Sequence, residues 1–211
     1  MNNEWVTLLD HEWIISTLQP QEPPTNPPLI LLHGLSGDEH SVKPLTLNIK
    51  RNRWLISLRG LLPATDQGYA WAPAKTRDQA GFSQSVLALE HEWPNIRSIL
   101  GLSSDEVDLL GFSQGAAFSS LLLLKYPNWI RRTALVSGFI PTLEPTFHLP
   151  SLVGHRVLVS HGTQDEVVPF SDAQRSTEFL LSLGAEVVFC KSNTRHKIGA
   201  YCLEQLETFL Y

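Results

Sequence analysis

Short apolar segments alternate along the chain with longer segments of helical character. The apolar segments are Leu29–Leu32, Trp54–Leu58, Val107–Leu110, Ala134–Ser137, Val157–Ser160 and Val187–Phe189. The helical segments are His40–Lys50, Gln79–Leu100, Gln114–Tyr126, Ser171–Leu183 and His196–Leu210. Continuous apolar strands that alternate with helices are typical of a parallel sheet with both faces covered. The pattern therefore predicts an α/β fold, in which a mostly parallel central sheet carries helices on both faces.

The beginning of the chain has a different pattern. Two strand-like segments, Trp5–Leu9 and Trp13–Leu18, flank Asp10–Glu12, and this arrangement predicts an antiparallel hairpin at the edge of the sheet. The segment Gln19–Pro28 carries five prolines, which favours an extended surface connection. Later in the chain, Leu61–Thr76 is long and irregular, and loops of that length in compact domains are often functional.

The composition predicts one domain over residues 1–211. With 43% hydrophobic residues, a chain of 211 residues has enough apolar material for one ordinary core. Its formal net charge is −5 and its basic residues are scattered, so it lacks the positive surface that binds nucleic acid or an anionic membrane. We expect no nucleic-acid partner, and we leave monomer and homodimer as alternatives.

The sequence also bears on compartment and thiol chemistry. No basic segment followed by an apolar run opens the chain, and no run of about 18 apolar residues occurs. We therefore expect a cytoplasmic protein without stable membrane insertion. The two cysteines, Cys190 and Cys202, fall in a predicted strand and a predicted helix without metal-binding spacing, which favours buried reduced thiols.

The strongest chemical motif is Gly-x-Ser-x-Gly at Gly111–Gly115, between an apolar strand and a leucine-rich helix. The turn of such a motif is so sharp that side chains two positions from the serine would collide with neighbouring backbone, so glycine is required there. The motif predicts that Ser113 is a nucleophile, presented at a helix N-terminus that favours developing negative charge. The alternative is a tight strand-to-helix turn without chemistry.

A serine hydroxyl needs a histidine to accept its proton and an acid to orient that histidine. In this fold the acid and the histidine follow the serine in that order. We choose His196, in the polar loop after the last apolar segment, although it could be an exposed residue at the start of a helix. His161 competes for the role but lies inside a strand, where we expect packing. For the acid we choose Asp165, just past a strand end, with Glu144 as the fallback.

A tetrahedral intermediate also needs two hydrogen-bond donors for its oxyanion. One is expected from the backbone N–H of Gln114, directly after the nucleophile, and one from the loop that follows the first parallel strand. That loop is His33–Asp38, and the Leu35 N–H is our candidate. We expect the His33 side chain to hold this loop and not to transfer protons.

Three segments together resemble the phospholipase/carboxylesterase family, which includes small bacterial carboxylesterases and the acyl-protein thioesterases. They are Leu31–Leu35, Gly111–Gly115 and His161–Pro169, of which the third is the most specific. The similarity extends over nearly the whole chain from Leu29 onward. It implies an α/β-hydrolase fold and a serine carboxylesterase or thioesterase that needs no metal or organic cofactor.

The resemblance also implies roles for individual residues. The positions that match the family's catalytic triad and oxyanion donors are Ser113, Asp165, His196, Leu35 and Gln114. Its aromatic segment matches Tyr69 and Trp71, which would line the acyl pocket. Two departures, Ser36–Asp38 in place of Gly-Asp-Ser and Arg195–Lys197 in place of Gly-His, leave the substrate preference open.

Short-chain esters, lysophospholipids and acyl thioesters all remain candidate substrates. Pocket depth depends on the packing of Trp71, Phe139, Ile140 and Val167, and Pro141–Pro150 is either a pocket rim or an ordinary surface loop. The alternative from another class is a ligand-binding protein that retains the hydrolase pocket but turns over slowly or not at all. Two further kinds of enzyme fit the sequence less well: dienelactone hydrolase prefers a cysteine nucleophile, whereas position 113 is a serine, and a peptidase would need recognition of a peptide backbone.

Overall fold

A computed structural model describes residues 4–10, 13–49, 52–64 and 68–211. The strands are β1 (Val6–Asp10), β2 (Trp13–Leu18), β3 (Leu29–Leu32), β4 (Leu55–Leu58), β5 (Leu62–Pro63), β6 (Tyr69–Ala70), β7 (Val107–Phe112), β8 (Ile130–Val136), β9 (Arg156–Gly162) and β10 (Glu186–Ser192). The α-helices are α1 (Ser83–Leu100), α2 (Gln114–Lys125), α3 (Phe170–Ser182) and α4 (Ala200–Leu210).

The central sheet has eight strands in the order β1-β2-β4-β3-β7-β8-β9-β10. From β4 to β10 every pair is parallel, whereas β1 pairs antiparallel with β2, and β2 pairs antiparallel with β4. This confirms the predicted mostly parallel sheet with an antiparallel hairpin at its edge. His11 and Glu12, in the predicted hairpin turn, lie outside the described residues.

Both faces of the sheet are buried at its inner strands. Successive side chains of a strand point to opposite faces, and in β3 Ile30 and Leu32 join one hydrophobic cluster while Leu29 and Leu31 join the other. The first cluster includes residues of α1, α2 and α3, and the second includes residues of α4. The inner strands therefore lie between two apolar layers, which explains why they are largely apolar and do not alternate.

Two predicted helices were wrong in extent. In the predicted helix His40–Lys50 the structure has one 3-10 turn, Lys43–Thr46, and Lys50 lies outside the described residues. Pro44 contributes no N–H to a helix, and the Asp38 carboxylate accepts the His40 N–H, an arrangement that competes with helix formation. The last helix begins at Ala200 and not at the predicted His196.

The expectation of reduced thiols was wrong as well. Cys190 on β10 and Cys202 on α4 form a disulfide with 5.8 Å between their Cα atoms. Both are buried as expected, but α4 packs back on β9 and β10, so two residues 12 positions apart meet. Disulfides persist mainly in oxidising compartments, so the cytoplasmic location stays a prediction. In the part of the chain that the structure describes, no helix is long and apolar enough to cross a bilayer.

Reduction of this disulfide is expected to destabilise the fold. A cross-link over a loop of this size restricts the unfolded chain and contributes about 3 kcal/mol. Urea unfolding monitored by circular dichroism should therefore show a lower midpoint when a reductant is added. In the double variant C190S/C202S the midpoint should be low and unaffected by reductant, whereas a reductant-insensitive native protein with two titratable thiols would contradict the cross-link.

Candidate active site

Ser113 lies in a strained turn between β7 and α2. Its backbone has φ +54° and ψ −115°, a conformation that non-glycine residues rarely adopt. A Cβ on Gly111 would lie 2.3 Å from the Gly115 carbonyl oxygen, and one on Gly115 would lie 2.1 Å from that of Leu32. Both glycines are therefore needed for steric reasons, because the strand and the helix approach each other too closely for any side chain.

The Ser113 hydroxyl is the first member of a chain of two hydrogen bonds. Its Oγ lies 2.9 Å from His196 Nε2, and His196 Nδ1 lies 2.7 Å from Asp165 Oδ2. The carboxylate accepts the Nδ1 proton, which leaves the lone pair on Nε2 directed at the serine hydroxyl. The other carboxylate oxygen, Oδ1, accepts the backbone N–H groups of Val167 and Val168, at 2.9 Å each. Three N–H groups therefore donate to the Asp165 carboxylate and fix its orientation.

The loops that carry Asp165 and His196 are joined by backbone hydrogen bonds. The Thr163 N–H donates to the Ser192 carbonyl at 2.8 Å, and the Gln164 N–H donates to the Thr194 carbonyl at 3.0 Å. Gly162 lies beneath this junction, where an added Cβ would be 2.2 Å from the Arg195 carbonyl oxygen. The loops of Asp165 and His196 are therefore held together by backbone contacts, which sequence spacing could not reveal.

The two competitors for the acid and base roles lie elsewhere. His161 is fully buried behind Asp165, with Nε2 at 2.9 Å from the Val168 carbonyl oxygen and 3.4 Å from Asp165 Oδ2. It packs as predicted and is not directed at Ser113. Glu144, the fallback acid, is exposed and lies on the wall of a cavity, in the segment after β8.

His33 supports the loop that contains the predicted oxyanion donor Leu35. Its Nδ1 donates to the Gly34 carbonyl at 2.6 Å, and its Nε2 accepts the Gly60 N–H at 2.8 Å. Burial lowers the pKa of His33, which favours this neutral form. Leu35 lies in the loop after β3, and Gln114 is the first residue of α2, where a backbone N–H has no partner within the helix.

Tyr69 holds the same loop from the other side. Its carbonyl accepts the Ser36 N–H at 3.0 Å, and its own N–H donates to the Gly37 carbonyl at 2.8 Å. The Arg59 guanidinium stacks 4.5 Å from the Tyr69 ring centre and makes two hydrogen bonds, of 2.6 and 2.7 Å, to the Glu39 carboxylate. Sequence reasoning missed the Arg59–Glu39 ion pair because these two residues are separated by a strand and a loop.

Trp71 has a different environment from the one predicted. Its indole is fully buried, stacks 4.8 Å from the Phe118 ring and donates to the His33 carbonyl, so it lies under the site and not on the wall of an open pocket. The Gln114 side chain holds this segment, because its Oε1 accepts the Trp71 N–H and its Nε2 donates to the Ala72 carbonyl, both at 2.9 Å. Gln114 thus connects the nucleophile turn to the loop after β6.

A cavity of about 480 Å³ lies beside the segment that follows β8. Phe139 and Ile140 line it, and much of Pro141–Pro150 contributes to its wall. Val167 is 64% exposed and does not line this cavity. The apolar part of the lining comes from Phe139, Ile140, Leu143, Phe147, Leu149 and Phe179.

One group of metal-type ligands occurs within the described ranges. Ligand atoms of Asp38, Glu39 and His40 lie within 4.8 Å of one another. Glu39 is engaged by Arg59, however, and Asp38 accepts the His40 N–H and the Ser41 hydroxyl. These contacts account for the close approach of the three side chains, which form part of a structural turn.

The sheet order, the turn at Ser113 and the loops around it define an α/β-hydrolase. A carboxylesterase from Mesorhizobium loti has 28% sequence identity and a TM-score of 0.83, over 99% of each chain. The Bacillus cereus carboxylesterase has the same TM-score at 19% identity, covers 93% of this chain and 92% of its own, and thus shares the fold.

Comparison with known sequences narrows the assignment from the α/β-hydrolase fold to a single family. Acyl-protein thioesterase 1 of Schizosaccharomyces pombe is 29% identical over 169 residues, which is 73% of this chain and 75% of that protein. Carboxylesterase SOBER1 of Arabidopsis thaliana is 25% identical over 205 residues, 86% of this chain and 88% of that protein. The phospholipase/carboxylesterase model matches residues 14–211, so the chain belongs to that family. Membership supports hydrolysis of esters or thioesters.

Proposed function

We propose that this protein is a serine hydrolase that cleaves carboxylic esters or acyl thioesters through an acyl-enzyme on Ser113. The observation that carries the proposal is the chain of hydrogen bonds of 2.9 and 2.7 Å from Ser113 through His196 to Asp165. The partner of the protein in this reaction is a small-molecule ester or thioester, which is its substrate.

Acylation begins when the Ser113 oxygen attacks the acyl carbonyl. His196 Nε2, 2.9 Å away, takes the hydroxyl proton as the bond to carbon forms. The imidazolium that results is stabilised by Asp165, 2.7 Å from Nδ1. The oxyanion is stabilised by the N–H groups of Leu35 and Gln114, of which the second begins α2, where the helix dipole adds to the effect.

The tetrahedral intermediate then collapses to the acyl-enzyme. His196 returns its proton to the leaving alcohol or thiol, which departs neutral. Water takes the place of the leaving group, His196 removes a proton from it, and attack on the acyl carbon releases the carboxylic acid and regenerates Ser113. The residues of the chain supply every proton transfer in this cycle, so it needs no cofactor.

The orientation of His196 is supported by packing as well as by hydrogen bonding. The Phe112 ring lies 5.1 Å from the imidazole, centre to centre, and the imidazole side chain is about one-fifth exposed. Leu35, 42% exposed, and Val167 provide apolar surface from the oxyanion loop and the acid loop. These surfaces suit the hydrocarbon part of an acyl substrate.

An acyl-enzyme trapping experiment tests the proposal. When excess p-nitrophenyl acetate is mixed with the protein in a stopped-flow instrument, we expect a burst of about one p-nitrophenolate per chain if deacylation is slower than acylation. Acid quenching and peptide mass spectrometry should find the acetyl group on Ser113. A ligand-binding protein that retains the pocket would give neither the acetylated peptide nor turnover.

A further inference from the structure

We propose that the cavity beside Phe139 and Ile140 selects acyl chains that end in a carboxylate, which Arg77 and Arg175 bind. The preferred substrate class would then be esters or thioesters of ω-carboxy fatty acids, in which an apolar chain separates the reacting carbonyl from an anion. This inference rests on the proposed acyl transfer at Ser113.

The cavity lies at the end of the sheet that carries Ser113. Phe139 and Ile140 directly follow Gly138, and a Cβ on Gly138 would be 3.1 Å from the Ser113 carbonyl oxygen. The opposite wall comes from α3, which begins five residues after Asp165. In parallel sheets, ligands bind in the crevice outside the carboxyl ends of the strands. Among the described residues, those that line the cavity do not include Ser113 or His196, but Gly138 joins its Phe139 edge to the Ser113 turn. An acyl chain on Ser113 would therefore extend past Gly138 to reach the cavity.

One wall of the cavity carries two guanidinium groups that share one carboxylate. Arg77 Nη2 lies 2.5 Å from Asp172 Oδ2, and Arg175 donates to the other oxygen, Oδ1. Two positive charges are thus paired with a single negative charge. The side chains of Arg77 and Arg175 are 46% and 69% exposed, so their remaining N–H groups can reach a ligand.

The Arg77 guanidinium is also held against the apolar floor, because its central carbon lies 4.0 Å from the centre of the Phe139 ring. This contact places a cation where the apolar lining ends. Guanidinium groups bind carboxylates through paired charge-assisted hydrogen bonds. An apolar floor followed by a cationic wall therefore matches a methylene chain with an anionic end.

Glu144 is the remaining charged residue of the lining. Among the described residues its carboxylate forms no ion pair with Arg77 or Arg175. It also lines a neighbouring cavity of about 330 Å³, so it lies at the junction of the two cavities. Glu144 is thus a second carboxylate in the lining, and among the described ion pairs both arginines pair with Asp172 instead.

The experiment compares two p-nitrophenyl esters of the same length, the monoester of suberic acid and the corresponding suberamic acid ester. The carboxylate and the amide at the far end have nearly the same shape, so their difference reports charge. We expect kcat/KM to be about tenfold higher for the carboxylate, since hydrogen bonds to charged groups are roughly twice as strong as neutral ones. Raised salt should reduce this ratio.

Variants assign the preference to the arginine wall. In R175Q and in R77Q the ratio of the two kcat/KM values should fall toward one. R97Q is the matched control, because it removes the same charge from a residue that pairs with Asp105 and does not line the cavity, and its ratio should stay high. Suberate should inhibit the native protein more strongly than suberamide, a comparison that needs no folded variant.

The outcomes separate the two proposals. Equal kcat/KM values for both esters in the native protein would overturn the selection of carboxylates while leaving acyl transfer at Ser113 intact. A preference for the carboxylate that persists in R175Q and R77Q would also overturn it. Failure to hydrolyse either ester would instead count against the proposed function.

Discussion

Replacement of Ser113 by alanine is expected to lower kcat for p-nitrophenyl ester hydrolysis by about 10⁶-fold, as for other serine nucleophiles. Alanine has no oxygen to attack the acyl carbon, and His196 then lacks the proton donor that lies 2.9 Å from its Nε2. Because both residues carry a Cβ, the backbone strain at φ +54° is unchanged and the variant should fold. Steady-state kinetics and labelling by a fluorophosphonate probe measure the loss.

The control for that loss is Ser120→Ala in the same helix. The Ser120 hydroxyl is buried and donates to the Ala117 carbonyl at 2.7 Å, away from His196. We expect S120A to retain labelling and turnover. Labelling of S113A at another residue, with turnover retained, would show that the nucleophile is not Ser113.

Replacement of Asp165 by asparagine should reduce turnover by roughly 10⁴-fold. The asparagine oxygen can still accept the Val167 and Val168 N–H groups that now bind Oδ1, so the loop should keep its shape. The amide NH₂ would then face His196 Nδ1 and favour the tautomer with the proton on Nε2, which cannot accept the serine proton. Measurements of kcat, with circular dichroism to verify folding, test this outcome.

Glu166→Gln provides the comparison for Asp165→Asn. Glu166 is adjacent in sequence but exposed, and its change should alter kcat less than tenfold. If D165N itself loses less than tenfold, the acid lies elsewhere, and Glu144 becomes the first residue to replace.

The parallel strands could be predicted because the apolar character of each strand is visible within its own short segment. Every residue of β3 and β4 is buried and all but Ser57 are apolar, so nearly continuous hydrophobicity marked these strands without any knowledge of their neighbours. The predicted helix at His40–Lys50 failed because Pro44 and the turn that the Asp38 carboxylate forms with the His40 N–H outweigh its apolar spacing. The short β5–β6 ribbon was not predicted either, since two-residue strands leave almost no periodic pattern.

The site was predictable to the extent that a single segment encodes its geometry. Gly-x-Ser-x-Gly specifies a sterically required turn, and the order of nucleophile, acid and histidine follows from the order of strand ends. Contacts between distant segments were not encoded in this way. The Arg59–Glu39 pair, the two bonds of the Gln114 side chain and the burial of Trp71 each depend on loops that lie far apart in sequence and are brought together by the folded sheet.

The chain alone predicted the class of fold, the position of the strained serine turn and the choice of Asp165 and His196, which the structure places in hydrogen-bond contact with it. These features follow from local periodicity, glycine sterics and chain order. Tertiary structure decided that Cys190 and Cys202 are joined, that Trp71 is core, and that Arg77 and Arg175 face one cavity. The physical reason is that each of these depends on how residues far apart in sequence pack together, and packing is set by the three-dimensional position of whole elements.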